Sequence, residues 1–135
     1  MDGVILTPLK QIHHPKGNVF HGMKKSDEGF SGFGEAYFST IHKDDIKGWK
    51  KHKEMTLNLV VVSGAIELVV YNEETKEFFA VVLSPANYQR LTVLPGMWVA
   101  FRGITENSML LNLASLEHDP EEAVSANLEC IDYAW

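Results

Sequence analysis

The chain has 135 residues, enough for one domain (1–135), and its 45% hydrophobic and 22% charged content is ordinary for a globular protein. A net charge of −6 argues against nucleic acid or an anionic membrane as the main partner, because both select basic surface. The single cysteine, Cys130, cannot bridge within the chain, no apolar run reaches the roughly 18–20 residues that span a bilayer, and the opening "MDGVILTPLKQI" lacks the features of a signal peptide, so the expectation is a cytoplasmic protein.

Strand-like alternation begins early. An apolar "VILTPL" opens the chain, and a glycine-rich loop, "GFSGFGE", leads into the alternating "EAYFSTI". Next comes "IKGWKKHK" at 46–53, a basic cluster at the entry to an apolar stretch. That stretch, "LNLVVVSGAIELVVY" at 57–71, is two β-branched runs joined by Ser63-Gly64, which reads as a hairpin. After the polar turn "NEETK" follow "EFFAVVLS", then "NYQRLTVLP" and "GMWVAFRG" around Pro95-Gly96, and finally "SMLLNLASL". Only "DPEEAVSANL" suits a short helix, with Asp119 as cap and Pro120 at its first position. Turns every 8–12 residues, without a long 3.6-residue period, predict an all-β sandwich or barrel.

Several of these stretches together resemble the dTDP-4-dehydrorhamnose 3,5-epimerase family of the cupin (jelly-roll) superfamily. They are "GEAYFSTI" at 34–41, "IKGWKKHKEMTLNLVVVSGAIELVVYNE" at 46–73, "LSPANYQRLTVLPGMWVAFRG" at 83–103, "HDPEE" and the closing "IDYAW", so the likeness spans essentially the whole chain. The resemblance implies a double-stranded β-helix barrel with little helix and a nucleotide-sugar ligand. It also implies a homodimer, in which the amino-terminal strand pairs across a two-fold axis. At its catalytic positions the sequence departs from the family. The family histidine follows an Arg-Gly-Leu triplet, whereas here Lys47-Gly48-Trp49 is followed by Lys50. The family's acid tyrosine becomes Asn112, Val99 stands where relatives carry histidine or asparagine, and the aspartate partner of the histidine has no counterpart before Trp135.

Epimerising a 4-keto sugar takes a base at the carbon next to the ketone, an acid for the return, and a stabiliser for the enolate. Lys50 and His52 are the candidates for the base. Strand alternation sets Lys50 on the other face from Lys47, Lys51 and Lys53, so their repulsion need not depress its pKa. Lys16, Lys47 and Lys50 suit a diphosphate, and Tyr37, Trp49, Trp98 or Phe101 can stack on a base or sugar, or simply fill the core. Asn58 and Asn112 interrupt apolar strand runs, which fits either sugar-hydroxyl binding or a structural hydrogen bond. Glu35 sits where a carboxylate can face a cavity, whereas Glu67 reads as solvent-facing. Lys50-x-His52 with Val99 does not supply the three or four ligands of a transition-metal site, so neither metal nor cofactor is expected. The reading is a sugar-nucleotide epimerase or isomerase homologue with altered catalytic residues. The alternatives are a non-catalytic cupin that binds a nucleotide sugar or similar anion, and a structural partner in a biosynthetic complex.

Overall fold

The computed structural model describes residues Met1–Trp135, and its regular structure is almost wholly antiparallel strand. One five-stranded sheet has the order β1-β9-β6-β11-β4, formed by β1 (Val4–Pro8), β9 (Gln89–Val93), β6 (Leu57–Ser63), β11 (Ser108–Ala114) and β4 (Glu35–Ile41). The other has the order β12-β5-β10-β7-β8, formed by β12 (Ala123–Ser125), β5 (Ile46–His52), β10 (Trp98–Gly103), β7 (Ile66–Asn72) and β8 (Glu77–Leu83). A small ribbon of β2 (Gln11–Ile12) and β3 (Val19–Phe20) stands apart. This is the all-β jelly roll that the sequence predicts.

Alternation along each strand explains why two sheets close on one core. Leu57, Leu59 and Val61 of β6, Ile66, Leu68 and Val70 of β7, and Leu91 and Val93 of β9 are buried members of one cluster between the sheets. Each such side chain contributes about 1.5–3 kcal/mol on burial. A second cluster lies on the outer face of the β5–β10–β7 sheet. There Trp49, Val69, Trp98 and Ala100 are covered by Ala126, Leu128, Ile131, Tyr133 and Trp135 of the carboxy-terminal segment.

Two expectations need correction. Ser63-Gly64 does not close a hairpin: β6 pairs with β9 and β11, while β7 pairs with β8 and β10. Both runs face the same interior, and the link between them steps from one sheet to the other. Gly64 makes this possible with φ of 75° at a place where a Cβ would fall 2.5 Å from Ser108 Oγ. Pro95-Gly96 likewise joins strands of opposite sheets. The expected helix over "DPEEAVSANL" is a single 3-10 turn, Pro120–Glu122, with Asp119 accepting the Glu121 N–H, before the chain extends into β12 and pairs with β5. Pairing with β5 takes the backbone bonds that a longer helix would need.

Candidate active site

A cavity of about 170 Å³ opens between the two sheets. Strand β5 offers it Lys50 and His52, two residues apart and therefore on one face of the pleat. The opposite sheet offers Tyr37 and Ser39 from β4 and Asn112 from β11. Leu57, Leu59, Leu110, Val99 and Phe101 supply apolar wall, with Val99 directly across from Lys50 in the strand register. Lys50 is exposed, so it stands at the rim.

His52 is held by a carboxylate. Its Nδ1 lies 2.6 Å from Oε1 of Glu122, and the two side chains are only 11% and 6% exposed. The other carboxylate oxygen of Glu122 accepts the N–H groups of Glu54 and Met55, each at 2.9 Å. Burial raises the Glu122 pKa, but the His52 hydrogen bond and the two amides outweigh it and bring the group from 4.5 down to about 2. Glu122 is therefore a carboxylate, and His52 Nδ1 donates to it. In the neutral ring that leaves Nε2 as the acceptor nitrogen, the tautomer a general base needs.

On the facing wall, Asn112 Nδ2 donates to the Tyr37 hydroxyl at 2.9 Å, while Asn112 Oδ1 accepts the Asn58 N–H at 3.1 Å. The cavity thus joins an imidazole–carboxylate pair and a lysine on one side to a phenol on the other. That set can remove a proton, steady the resulting anion and return a proton.

Of the residues singled out from sequence, Tyr37, Lys50, His52, Phe101 and Asn112 meet in this cavity. The others stand elsewhere. Trp49 is 1% exposed and packs beneath the carboxy-terminal segment, its ring 6.0 Å from that of Trp135. Trp98 shares that outer face, donating Nε1 to Glu73 while Lys51 sits over its ring at 5.0 Å. The Asn58 side chain points away from the cavity, accepting the Thr92 hydroxyl and donating to Gly29 O. Glu35 accepts the His118 N–H, Lys47 donates to Thr40 O, and exposed Lys16 lies in the loop between β2 and β3. None of these six lines the cavity: the pleat turns Trp49 and Trp98 to the outer face, hydrogen bonds hold Asn58, Glu35 and Lys47 elsewhere, and Lys16 lies in a loop. The expected lack of a carboxylate partner for a histidine is also corrected, since Glu122 fills that role. Its sequence signal was "DPEE", which resembles acidic residues at a helix start.

The FdtA family model, described as WxcM-like, C-terminal, matches residues 2–134. The chain belongs to the FdtA family. Among solved structures, this FdtA-family chain is similar to a dTDP sugar isomerase from Desulfovibrio desulfuricans G20, with 29% identity, a TM-score of 0.93, and coverage of 99% of this chain and 91% of that one. It also shares its fold with a variant of the 3,4-ketoisomerase QdtA from Thermoanaerobacterium thermosaccharolyticum in complex with TDP-4-keto-6-deoxyglucose. There the identity is 24%, the TM-score 0.80, and the coverage 92% and 88%. ChmJ, a 3'-monoepimerase from Streptomyces bikiniensis in complex with dTDP-quinovose, has 17% identity and a TM-score of 0.87 over 98% of this chain and 75% of that one. Among curated proteins, none matches the FdtA-family chain by sequence.

Proposed function

We propose that the chain is an isomerase or epimerase of a nucleotide-linked 4-keto sugar, of the dTDP-4-keto-6-deoxyhexose type, acting by proton transfer at the carbon beside the ketone. The carrying observation is the His52–Glu122 pair on the wall of a cavity that also receives Lys50 and Tyr37. The named ligands of structurally similar proteins, TDP-4-keto-6-deoxyglucose and dTDP-quinovose, support the substrate class.

The cavity is smaller than the roughly 300–1,000 Å³ of sites that enclose drug-sized ligands. It suits the hexose, with the nucleoside diphosphate left outside its mouth. His52 Nε2 takes the C3 proton while Glu122 holds Nδ1–H and balances the imidazolium charge that forms. The C3–H electron pair becomes the C3=C4 double bond, and the carbonyl pair moves onto the C4 oxygen. Lys50, on the same strand face as His52, offers positive charge to that developing oxyanion. Tyr37, on the facing wall, supplies a proton. Protonation of C3 from the far side gives the C3 epimer. Protonation of the C4 oxygen gives an enediol, which becomes the 3-ketone when C4 gains a proton and the C3 hydroxyl loses one.

In this reading the base sits at His52, two residues beyond the position where the resemblance places a histidine, and Lys50 serves the oxyanion. Cys130, exposed and unbridged, fits a reducing cytoplasm. The dimer implied by the resemblance would form at β1, which is the edge of its sheet, and light scattering reads it directly.

The test is incubation with dTDP-4-keto-6-deoxyglucose in deuterated buffer, followed by proton NMR. Deuterium at C3 of recovered substrate, together with a C3 epimer deuterated at C3 or a 3-keto sugar deuterated at C4, is the expected result. Saturable binding without exchange between pH 6 and 9 would instead establish a non-catalytic binding protein, a reading that the lysine at the family's histidine position favours.

A further inference from the structure

The hydrogen bonds behind Tyr37 have a fixed direction. The Asn58 backbone N–H can only donate, so the atom of Asn112 that faces it, 3.1 Å away, is the amide oxygen. The amide nitrogen therefore faces Tyr37 at 2.9 Å and can only donate. The Tyr37 oxygen is left to accept, its own proton is turned away from Asn112, and its only protein hydrogen-bond partner is that amide. Asn112 is 4% exposed, and the β11 pairing with β6 and β4 sets it opposite Leu59 and Tyr37 in the two registers. Both Tyr37 and Asn112 line the cavity that holds His52.

We propose that Asn112 is a positioning residue: its amide, oriented by the Asn58 backbone, directs the Tyr37 proton into the cavity as the donor facing His52. This rests on the reaction proposed above and assigns a function to a side chain that does not itself exchange protons. The position where the resemblance places an acid tyrosine then keeps an indirect part in protonation, acting through a phenol on the neighbouring strand.

The test separates two signals from one incubation in deuterated buffer. Washout of the C3 hydrogen needs only His52, which can return deuterium to the face it left. Formation of the epimer or 3-keto sugar also needs the proton from the opposite wall. Asn112→Asp keeps the shape and still accepts the Asn58 N–H, but its carboxylate accepts from Tyr37 and turns the proton round. The expected result is a product-to-washout ratio at least tenfold below wild type, with washout itself within about threefold. Tyr37→Phe gives the same split, and combining the two changes adds little. Lowering the pH until the new carboxyl is protonated restores a donor and raises the ratio in Asn112→Asp alone.

Should that variant not fold, neutral Asn112→Leu carries the test, with a ratio at least threefold below wild type. A ratio that stays within twofold of wild type, or equal loss of washout and product, makes Asn112 merely structural and overturns the proposal. A wild type that gives neither signal overturns the proposed reaction, and this role falls with it.

Discussion

Nδ1 of His52 and Oε1 of Glu122 meet at 2.6 Å across 70 residues of sequence, bringing the end of β5 against the 3-10 turn that precedes β12. One oxygen of the carboxylate fixes the imidazole, and the other fixes the backbone at Glu54 and Met55. Replacing Glu122 with Gln breaks this division. An amide has one accepting and one donating end, so it either meets the backbone N–H groups with another donor or forces His52 Nδ1 to become the acceptor. The base then carries its proton on the wrong nitrogen. Glu122→Gln should lower the C3 exchange rate by about 10²-fold or more, within the range of general acid–base contributions, while dTDP-sugar affinity changes less than about threefold. Stopped-flow exchange and calorimetric titration measure the two.

The same carboxylate makes stability depend on acid. A group whose pKa falls from 4.5 to about 2 on folding binds its proton more readily when unfolded. Its contribution is present above pH 4.5, declines as pH falls below that value, and is gone once pH passes about 2. The contribution at neutral pH is on the order of 3 kcal/mol. Urea unfolding of the wild type should show this loss between pH 4.5 and 2, and Glu122→Gln should flatten that part of the profile.

Trp49 makes a different prediction, because it belongs to the outer cluster and not to the cavity. Trp49→Ala should destabilise the fold by about 3–5 kcal/mol, as expected for removing a buried tryptophan. Ligand affinity, measured where the variant is still folded, should stay close to wild type. Unchanged stability with lost dTDP-sugar binding would return Trp49 to the site.

Arg90 anchors the segment that covers the outer face of the first sheet. Fully buried, it donates to Gly22 O at 2.8 Å and Glu28 O at 3.1 Å and pairs with Asp27 at 3.4 Å. Arg90→Ala removes the donor that ties these acceptors to β9, so the segment loses its anchor. Limited proteolysis should then cut first between residues 22 and 28, well before the barrel opens.

The strands were legible because alternation survives burial on one face, as in "EAYFSTI", where Tyr37, Ser39 and Ile41 turn inward while Ala36, Phe38 and Thr40 are exposed. Which sheet each strand joins was not legible, because Ser63-Gly64 and Pro95-Gly96 carry the local chemistry of a turn whether or not the flanking strands pair. The aromatic residues failed for a related reason. Trp49 and Lys50 are adjacent, so one faces out where the other faces in, and composition alone does not set the phase. Lys50 and His52 were found because charge on a strand with an apolar continuation is itself unusual. Glu122 was missed because the buried partner of a histidine and an acidic first turn share the same letters, and only tertiary folding brings residue 122 to residue 52.

The central claim is that the hexose lies inside the barrel with its C3 hydrogen facing His52. A crystal structure with dTDP-linked 6-deoxyglucose, which has no ketone to react, tests it most directly. The account predicts C3 within roughly 3–3.5 Å of His52 Nε2, the near-attack range, with the Tyr37 hydroxyl on the other side of the ring and the diphosphate outside the cavity. A sugar bound on the outer face near Trp98, or one that leaves His52 out of reach of any sugar carbon, would contradict it.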